Sequence, residues 1–353
     1  MRVASLKDLL RKTDADAYLV TDVKNVYYFT SFRDISEAAL NLLITLKDDP
    51  VLLVSPLSFV AAKENARSCV VMEIHSGERM LDRLTDVIRD MKVREVHFDN
   101  LSAQTYLELI KKLEVKFIPD PDLIWALRRV KDEDEIAYIK KAANLAVIGV
   151  EAGVEAVKPG IKEYEVAAEV EYAMRTKGSE GMSFETIVAS GPRSAYPHGL
   201  CSDRVINSGD LVMIDLGAIH AGYCSDITRT VVAGKPSPRQ QNILNLVLRA
   251  QQETFKNFCA GVKARDVDAS ARKILADDNC EKYFIHGLGH GVGLSIHEPP
   301  LLSPSSEVIL EEGNVVTNEP GVYIEGFGGV RIEDMILVRK NRGEKLTNAP
   351  YHI

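Results

Sequence analysis

Two stretches of this chain superpose on one another, and each delivers a pair of carboxylates. GDLVMIDLG (Gly209–Gly217) lies over GNVVTNEPG (Gly313–Gly321), matching Gly209, Val212, Asp215 and Gly217 with Gly313, Val316, Glu319 and Gly321. A second acid follows each copy in a strand-like run, Asp226 in SDITRTVV and Glu333 in VRIEDMILV. The register extends backwards, since GIKEYEVAAEV (Gly160–Val170) lies over GVKARDVDASA (Gly261–Ala271). An offset of about one hundred residues therefore repeats helix, strand and acid, a whole-fold signal. Four acids gathered by a pseudo-twofold cannot all stay ionised unaided, because like charges at contact distance repel. A divalent cation is the expected neutraliser.

At 353 residues the chain exceeds one ordinary core, which favours two domains. The charged stretch RRVKDEDE (Arg128–Glu135) marks the expected boundary, giving an N-terminal domain of residues 1–128 and a C-terminal domain of residues 129–353. The first reads as alternating strands and helices, the pattern of an α/β domain. Strands are expected at Ala17–Thr21, Val26–Phe32, Asn41–Leu46 and Val51–Ser55, and in CVVMEIH, EVHFDN and VKFIPD. Helices are expected at Phe59–Ala66, Glu78–Met91, Ala103–Leu113 and Asp122–Arg129. His75 and His97 fall within strand runs and read as packed residues.

The second domain opens with Ile136, Ile139, Ala143, Val147, Val150 and Val154 at steps of three and four, one apolar face of a long helix ended by Pro159–Gly160. A helix with Val166, Val170 and Met174 on one side follows, and then strand-like MSFETIVAS (Met182–Ser190). From Pro238 the order repeats. The expectation is an α+β domain, internally duplicated, with helices on one side of a curved antiparallel sheet.

The net charge of −8 argues against a nucleic-acid partner, since a phosphate-binding surface needs excess positive charge. No apolar run approaches the roughly 20 residues that span a bilayer, so no membrane partner is expected. Five scattered cysteines without a CxxC pair read as reduced thiols, and the N-terminus lacks a signal-peptide pattern. A cytoplasmic protein is expected.

Asp215, Asp226, Glu319 and Glu333 should meet near the pseudo-symmetry axis. His290 joins them in FIHGLGHGVGLSIHE, where the four glycines between 287 and 293 exclude the helix that the His286–His290 spacing would otherwise suggest. Such a strand or loop lets backbone approach a ligand closely. Oxygen-rich sites with one imidazole suit two hard or borderline divalent ions, with manganese, cobalt, iron and zinc all eligible. Metal-bound water can reach a pKa of about 7. His198 in ASGPRSAYPHG and His297 in SIHEPP are candidates for donating to a substrate carbonyl or a developing oxyanion. His220 is expected to face solvent, and Cys201 and Cys224 to pack as small apolar residues.

FETIVASGPRSAYPHG, GDLVMIDLGAIHAGYCSDITRT, HGLGHGVGLSIHE, VVTNEPGVYI and GGVRIED resemble, in order, the signature blocks of the pita-bread-fold metallopeptidases. Within that group the chain is most similar to Xaa-Pro dipeptidases (prolidases) and Xaa-Pro aminopeptidases. The resemblance covers essentially the whole chain and implies a creatinase-like N-terminal domain ahead of a pita-bread catalytic domain. It implies metal ligation by Asp215, Asp226, His290, Glu319 and Glu333, with Asp226 and Glu333 bridging two ions. Glu319 would also act as acid/base, His198 and His297 as substrate-binding and transition-state-stabilising groups, and Arg331 as a support behind the last ligand. The implied reaction is cleavage of an Xaa-Pro dipeptide by a metal-bridging hydroxide, with proline leaving. The family also implies a homodimer.

Leu288, Ser295 and Asn318 depart from the family pattern, and Leu301 stands where some prolidases place a carboxylate-clamping arginine. A polar Asn318 beside Glu319 is expected to alter that carboxylate, so that Asn318→Ile would change metal affinity or pH optimum. Absence of the arginine leaves Xaa-Pro aminopeptidase activity on longer peptides as the near alternative. Methionine aminopeptidases share the ligands but generally lack the first domain; creatinases lack the ligands. A non-catalytic pita-bread binding protein is the alternative of a different class, and it predicts broken ligands.

Overall fold

A computed structural model describes residues 2–34, 40–75 and 77–351. The chain divides into two compact units, Met1–Arg128 and Arg129–Ile353.

The first unit carries strands β1 (Ala17–Val20), β2 (Asn41–Thr45), β3 (Val51–Val54), β4 (Val70–Glu73), β5 (Glu95–Phe98) and β6 (Lys116–Pro119). They form one mixed sheet in the order β4-β3-β2-β1-β5-β6, parallel at β3–β4, β1–β5 and β5–β6. Its helices are α1 (Arg2–Leu10), α2 (Val23–Thr30), α3 (Pro56–Asn65), α4 (Met80–Asp90), α5 (Ala103–Lys112) and α6 (Asp122–Arg128). Helix α2 occupies the region where the β-branched and aromatic run Val26–Phe32 predicts a strand. Local capping overrides that propensity. Asp22 Oδ1 accepts from the amides of Lys24 (2.8 Å) and Asn25 (3.2 Å), and Ser31 closes the other end at φ 57°. His97 is packed as expected, against Asp120 at 2.7 Å. His75 is not: β4 stops at Glu73, and the ring is exposed beyond it.

The second unit is built twice. Its first half holds α7 (Glu133–Ala156), α8 (Glu163–Thr176), β7 (Ile187–Ser190), β8 (Leu211–Leu216), the short pair β9 (Ile219–His220) and β10 (Tyr223–Cys224), and β11 (Ile227–Val232). The second holds α9 (Pro238–Phe255), α10 (Ala264–Ala276), β12 (Gly289–Gly291), β13 (Glu298–Leu302), β14 (Val315–Asn318), the pair β15 (Gly321–Ile324) and β16 (Gly328–Arg331), β17 (Asp334–Val338) and β18 (Gly343–Lys345). Antiparallel β7-β8-β11 corresponds to antiparallel β12-β14-β17, and in each half a two-stranded hairpin is inserted between the second and third strands. Both halves open with a capping box, Asp132 with Glu135 and Ser237 with Gln240. Each half also buries its own core. Val150, Val170 and Met174 pack with Ile214 and Leu216, while Val247, Val267 and Ala271 pack with Val316 and Ile336. A fully buried aliphatic side chain of this kind is worth roughly 1.5–3 kcal/mol.

The expected strand Met182–Ser190 shortens to Ile187–Ser190. Met182 makes only an isolated bridge with Ala218, which frees Phe184 and Glu185 to line a cavity.

Candidate metal centre

Asp215 sits inside β8, where it pairs with Ile187 and Thr228. Asp226 immediately precedes β11, Glu319 immediately follows β14, and Glu333 lies between β16 and β17. The two copies thus present their acids from corresponding strands. Together with His290 of β12, all four acids line one cavity of about 680 Å³, shared with His198, His297 and Arg331. Ligand atoms of Asp226, His290 and Glu333 lie within 4.8 Å of one another. Glu319 reaches this group through its Oε1, 3.4 Å from His290 Nε2. Asp215 is held beside it by Arg331 Nη2, which donates to Oδ2 at 2.5 Å.

Hydrogen bonding orients the histidines. His290 Nδ1 lies 3.0 Å from the Gly291 carbonyl, an acceptor only, so Nδ1 carries the proton. That leaves the Nε2 lone pair aimed at Asp226 Oδ2 (3.5 Å) and Glu319 Oε1 (3.4 Å). The same logic fixes His286: Nδ1 donates to the Gly287 carbonyl (2.8 Å), and Nε2 accepts from the Tyr323 hydroxyl (2.9 Å). Tyr323 accepts in turn from Arg331 Nη1 at 2.8 Å. Burial pushes the Tyr323 hydroxyl up to about 12, which keeps it a donor.

The electrostatics call for a cation. Asp226 is pushed well above the ordinary carboxylate range by burial and then by Glu333, Asp215 and Glu319. Glu333 is raised in the same way by burial and then by Glu319 and Asp215, and burial raises Glu319. Burial also lowers His290, favouring the neutral, ligating form. Asp215 Oδ1 and Glu333 Oε1, both on residues that line the cavity, are buried without a hydrogen-bond partner, which is costly unless another partner takes its place. Acceptors converging on one point with orphaned oxygens among them are the donor set a divalent ion requires.

His198 is exposed at the cavity wall, and the His297 ring stands 4.3 Å from that of His290. Burial lowers the pKa of His297, so near neutrality it presents an uncharged imidazole. His220 is half-buried with its ring 6.3 Å from that of Tyr138, and is not among the cavity-lining residues. All five cysteines are free thiols; Cys224 is buried, and half-buried Cys201 packs against the first-half core. Gly287 and Gly289 line the cavity, yet the glycines of this segment mainly admit neighbouring protein. A Cβ on Gly289 would stand 2.3 Å from the Thr317 carbonyl.

Asn318 does not act on Glu319 as the sequence suggested. Strand alternation turns it to the opposite face, where Nδ2 donates to the Gln251 carbonyl of α9 at 2.9 Å. Glu319 is instead held by the Thr317 hydroxyl at 3.0 Å, and Glu333 by the Thr228 hydroxyl at 2.7 Å. Sequence reasoning missed both threonines, although each lies two residues from an acid in a strand. It also missed His286 and Tyr323, whose pairing is visible only in three dimensions.

Residues 137–340 match metallopeptidase family M24, and residues 2–130 match the creatinase/prolidase N-terminal domain. An Xaa-Pro dipeptidase of Pyrococcus horikoshii is 40% identical over 347 residues, 98% of this chain and 96% of that protein. The structure of an Xaa-Pro dipeptidase from Bacillus anthracis superposes with a TM-score of 0.94 at 35% identity, covering 99% of this chain and 97% of that one. An X-Pro aminopeptidase from Thermotoga maritima superposes with a TM-score of 0.89 at 34% identity, covering 99% of each.

Proposed function

The chain belongs to metallopeptidase family M24, and from that premise we propose that it hydrolyses the Xaa-Pro bond of dipeptides with a dinuclear metal centre. The observation that carries this reading is the convergence of Asp226, His290 and Glu333 on one point within a cavity that also holds His198 and His297. The Xaa-Pro dipeptidase named above, similar along nearly its whole length, supports the substrate class.

Asp215, Asp226, His290, Glu319 and Glu333 would hold two divalent ions, manganese or cobalt first and zinc or iron as alternatives. Bound there, the ions would supply a water acidified to near neutrality and an electrophile for the scissile carbonyl. The chain's own residues do the rest. Glu319 would take a proton from the attacking water onto a carboxylate oxygen and pass it to the departing proline nitrogen. His198 and His297 offer N–H donors to the carbonyl oxygen as it gains charge. Arg331 holds Asp215 and, through Nη1, the Pro197 carbonyl at 3.2 Å, linking the ligand set to the His198 loop.

A specific observation favours the second reading, Xaa-Pro aminopeptidase action on longer peptides. Leu301, Leu200 and Ile285 line the cavity and are exposed, and among the described residues lining it Arg331 is the one lysine or arginine. With Arg331 committed to Asp215 and Tyr323, no lysine or arginine among the described lining residues is left to receive a dipeptide's carboxylate. The test compares Ala-Pro, Met-Pro and Ala-Pro-Ala with manganese, cobalt or zinc added. Cleavage of both dipeptides is expected; strong tripeptide cleavage with weak dipeptide cleavage would overturn the first reading in favour of the second.

A further inference from the structure

Glu163, the first residue of α8, is fully buried and belongs to neither the ligand set nor the cavity wall. Its carboxylate receives donors from both ends of the segment that carries His198. Oε1 accepts from the Ser190 amide (2.8 Å) and hydroxyl (2.7 Å). Oε2 accepts from the Ser202 amide (3.0 Å) and hydroxyl (2.6 Å), and also from Arg193 Nη1. Arg193 then spans the loop to donate to the Leu200 carbonyl at 2.8 Å. Arg204 braces the base from outside, donating to the Ser190 hydroxyl (2.5 Å) and to Asp210 (2.7 Å). His198 sits at the far end of this closed loop, exposed towards the cavity.

Stability alone does not call for this arrangement. Burying a carboxylate costs several kcal/mol before pairing returns it, and an apolar contact of the same volume is often equally stable. A charged acceptor adds direction: donors arriving from residues 190, 193 and 202 must meet it at fixed angles, which fixes the loop between them. The second half uses the same device one helical turn along the repeat. Asp268 of α10 accepts from the Leu288 amide at 2.9 Å and pairs with Arg272, which donates to the Phe284 (3.0 Å) and His286 (2.6 Å) carbonyls just before His290.

We infer that Glu163 is a positioning residue, closing the base of the 190–202 loop and setting where His198 presents its imidazole. The inference rests on the reading of His198 as a group that faces substrate. A double-mutant cycle tests it with Ala-Pro as substrate and metal content measured throughout. Glu163→Gln keeps the volume but turns an amide donor towards donors. Because misplacement of a reacting group by about 1 Å can cost on the order of a hundredfold, a ten- to hundredfold loss of kcat/KM is expected. Bound metal should be unchanged. In a His198→Ala background the same substitution should cost less than about threefold, since coupled residues are not additive. Ser202→Ala, which removes one hydroxyl donor and keeps the amide, should show a smaller loss with the same collapse, and it decides the matter if Glu163→Gln does not fold. Multiplicative losses, no loss, or a fall in bound metal would each overturn the role of Glu163. An inert His198→Ala would instead remove the reading of His198, and this inference with it.

Discussion

Thr228 and Thr317 each spend a hydroxyl on a carboxylate that faces the centre, Glu333 and Glu319 respectively. Thr317 also accepts from the His290 amide at 3.0 Å, so it orients two candidate ligands from one side chain. Partners behind metal ligands typically govern affinity by about 10–100-fold, so Thr317→Val should weaken metal binding by that amount in a calorimetric titration. Asn318→Ile, on the opposite face of the same strand as Thr317, should leave the titration unchanged. If the two substitutions behaved alike, strand alternation would not be what separates them. The acids themselves were legible because the duplication sets them in matching frames. The threonines were not, since a threonine in a strand looks like any β-former until its neighbour across the sheet is known. Asn318 misled because adjacency in sequence was taken for adjacency in space.

At the scale of elements, the segment bearing His297 is tied down by a charge pair. Lys131 Nζ meets Glu298 Oε1 at 2.9 Å, with both side chains 1% exposed, and the Lys131 amide donates to the Gly313 carbonyl at 2.9 Å. This links the approach to α7 with the start of β13 and the turn before β14. Removing one partner of a buried pair strands the other charge, so Lys131→Ala should destabilise the protein by about 3–5 kcal/mol in denaturant unfolding. Lys131→Met with Glu298→Gln should recover much of that loss. Equal losses in the single and double variants would show that packing, not charge, matters there. RRVKDEDE gave a boundary from charge density, but nothing in it singled out Lys131, whose partner lies far along the chain. Helix α2 shows the converse failure. Its VYYF run reads as a strand, and the decisive information was a single capping aspartate before it.

For the whole molecule, the centre couples metal, protons and folding. Asp226, Glu333 and Glu319 have higher pKa values folded than in an open chain, so the metal-free fold binds the extra protons and loses stability as pH rises. His286, His290 and His297 are lowered, so their contribution grows with pH and is complete above about 6.5, the unperturbed histidine value. Of these six groups, only the acids can still titrate above that value. Above about pH 6.5 the melting temperature of the chelated protein should therefore gain nothing further from these histidines and fall with any of the acids still titrating, while the increment gained on adding manganese grows as those ligands shed protons to bind. Parallel curves with and without metal would refute this coupling. At this scale the sequence was most readable, since a repeat with its own caps and cores dictates two similar halves. The pairing of β12 between β13 and β14 was not readable, because it depends on glycines whose role is to let strands touch.

The division of the proposed ligand set between the halves has a consequence for inheritance. Asp215 and Asp226 come from one copy, and His290, Glu319 and Glu333 from the other, so on that proposal neither copy alone could hold the centre. After such a duplication the usual freedom of a spare copy to wander is gone. If these five residues hold the metal, a lesion in either half would disable the chemistry of both, and the two would have to descend together.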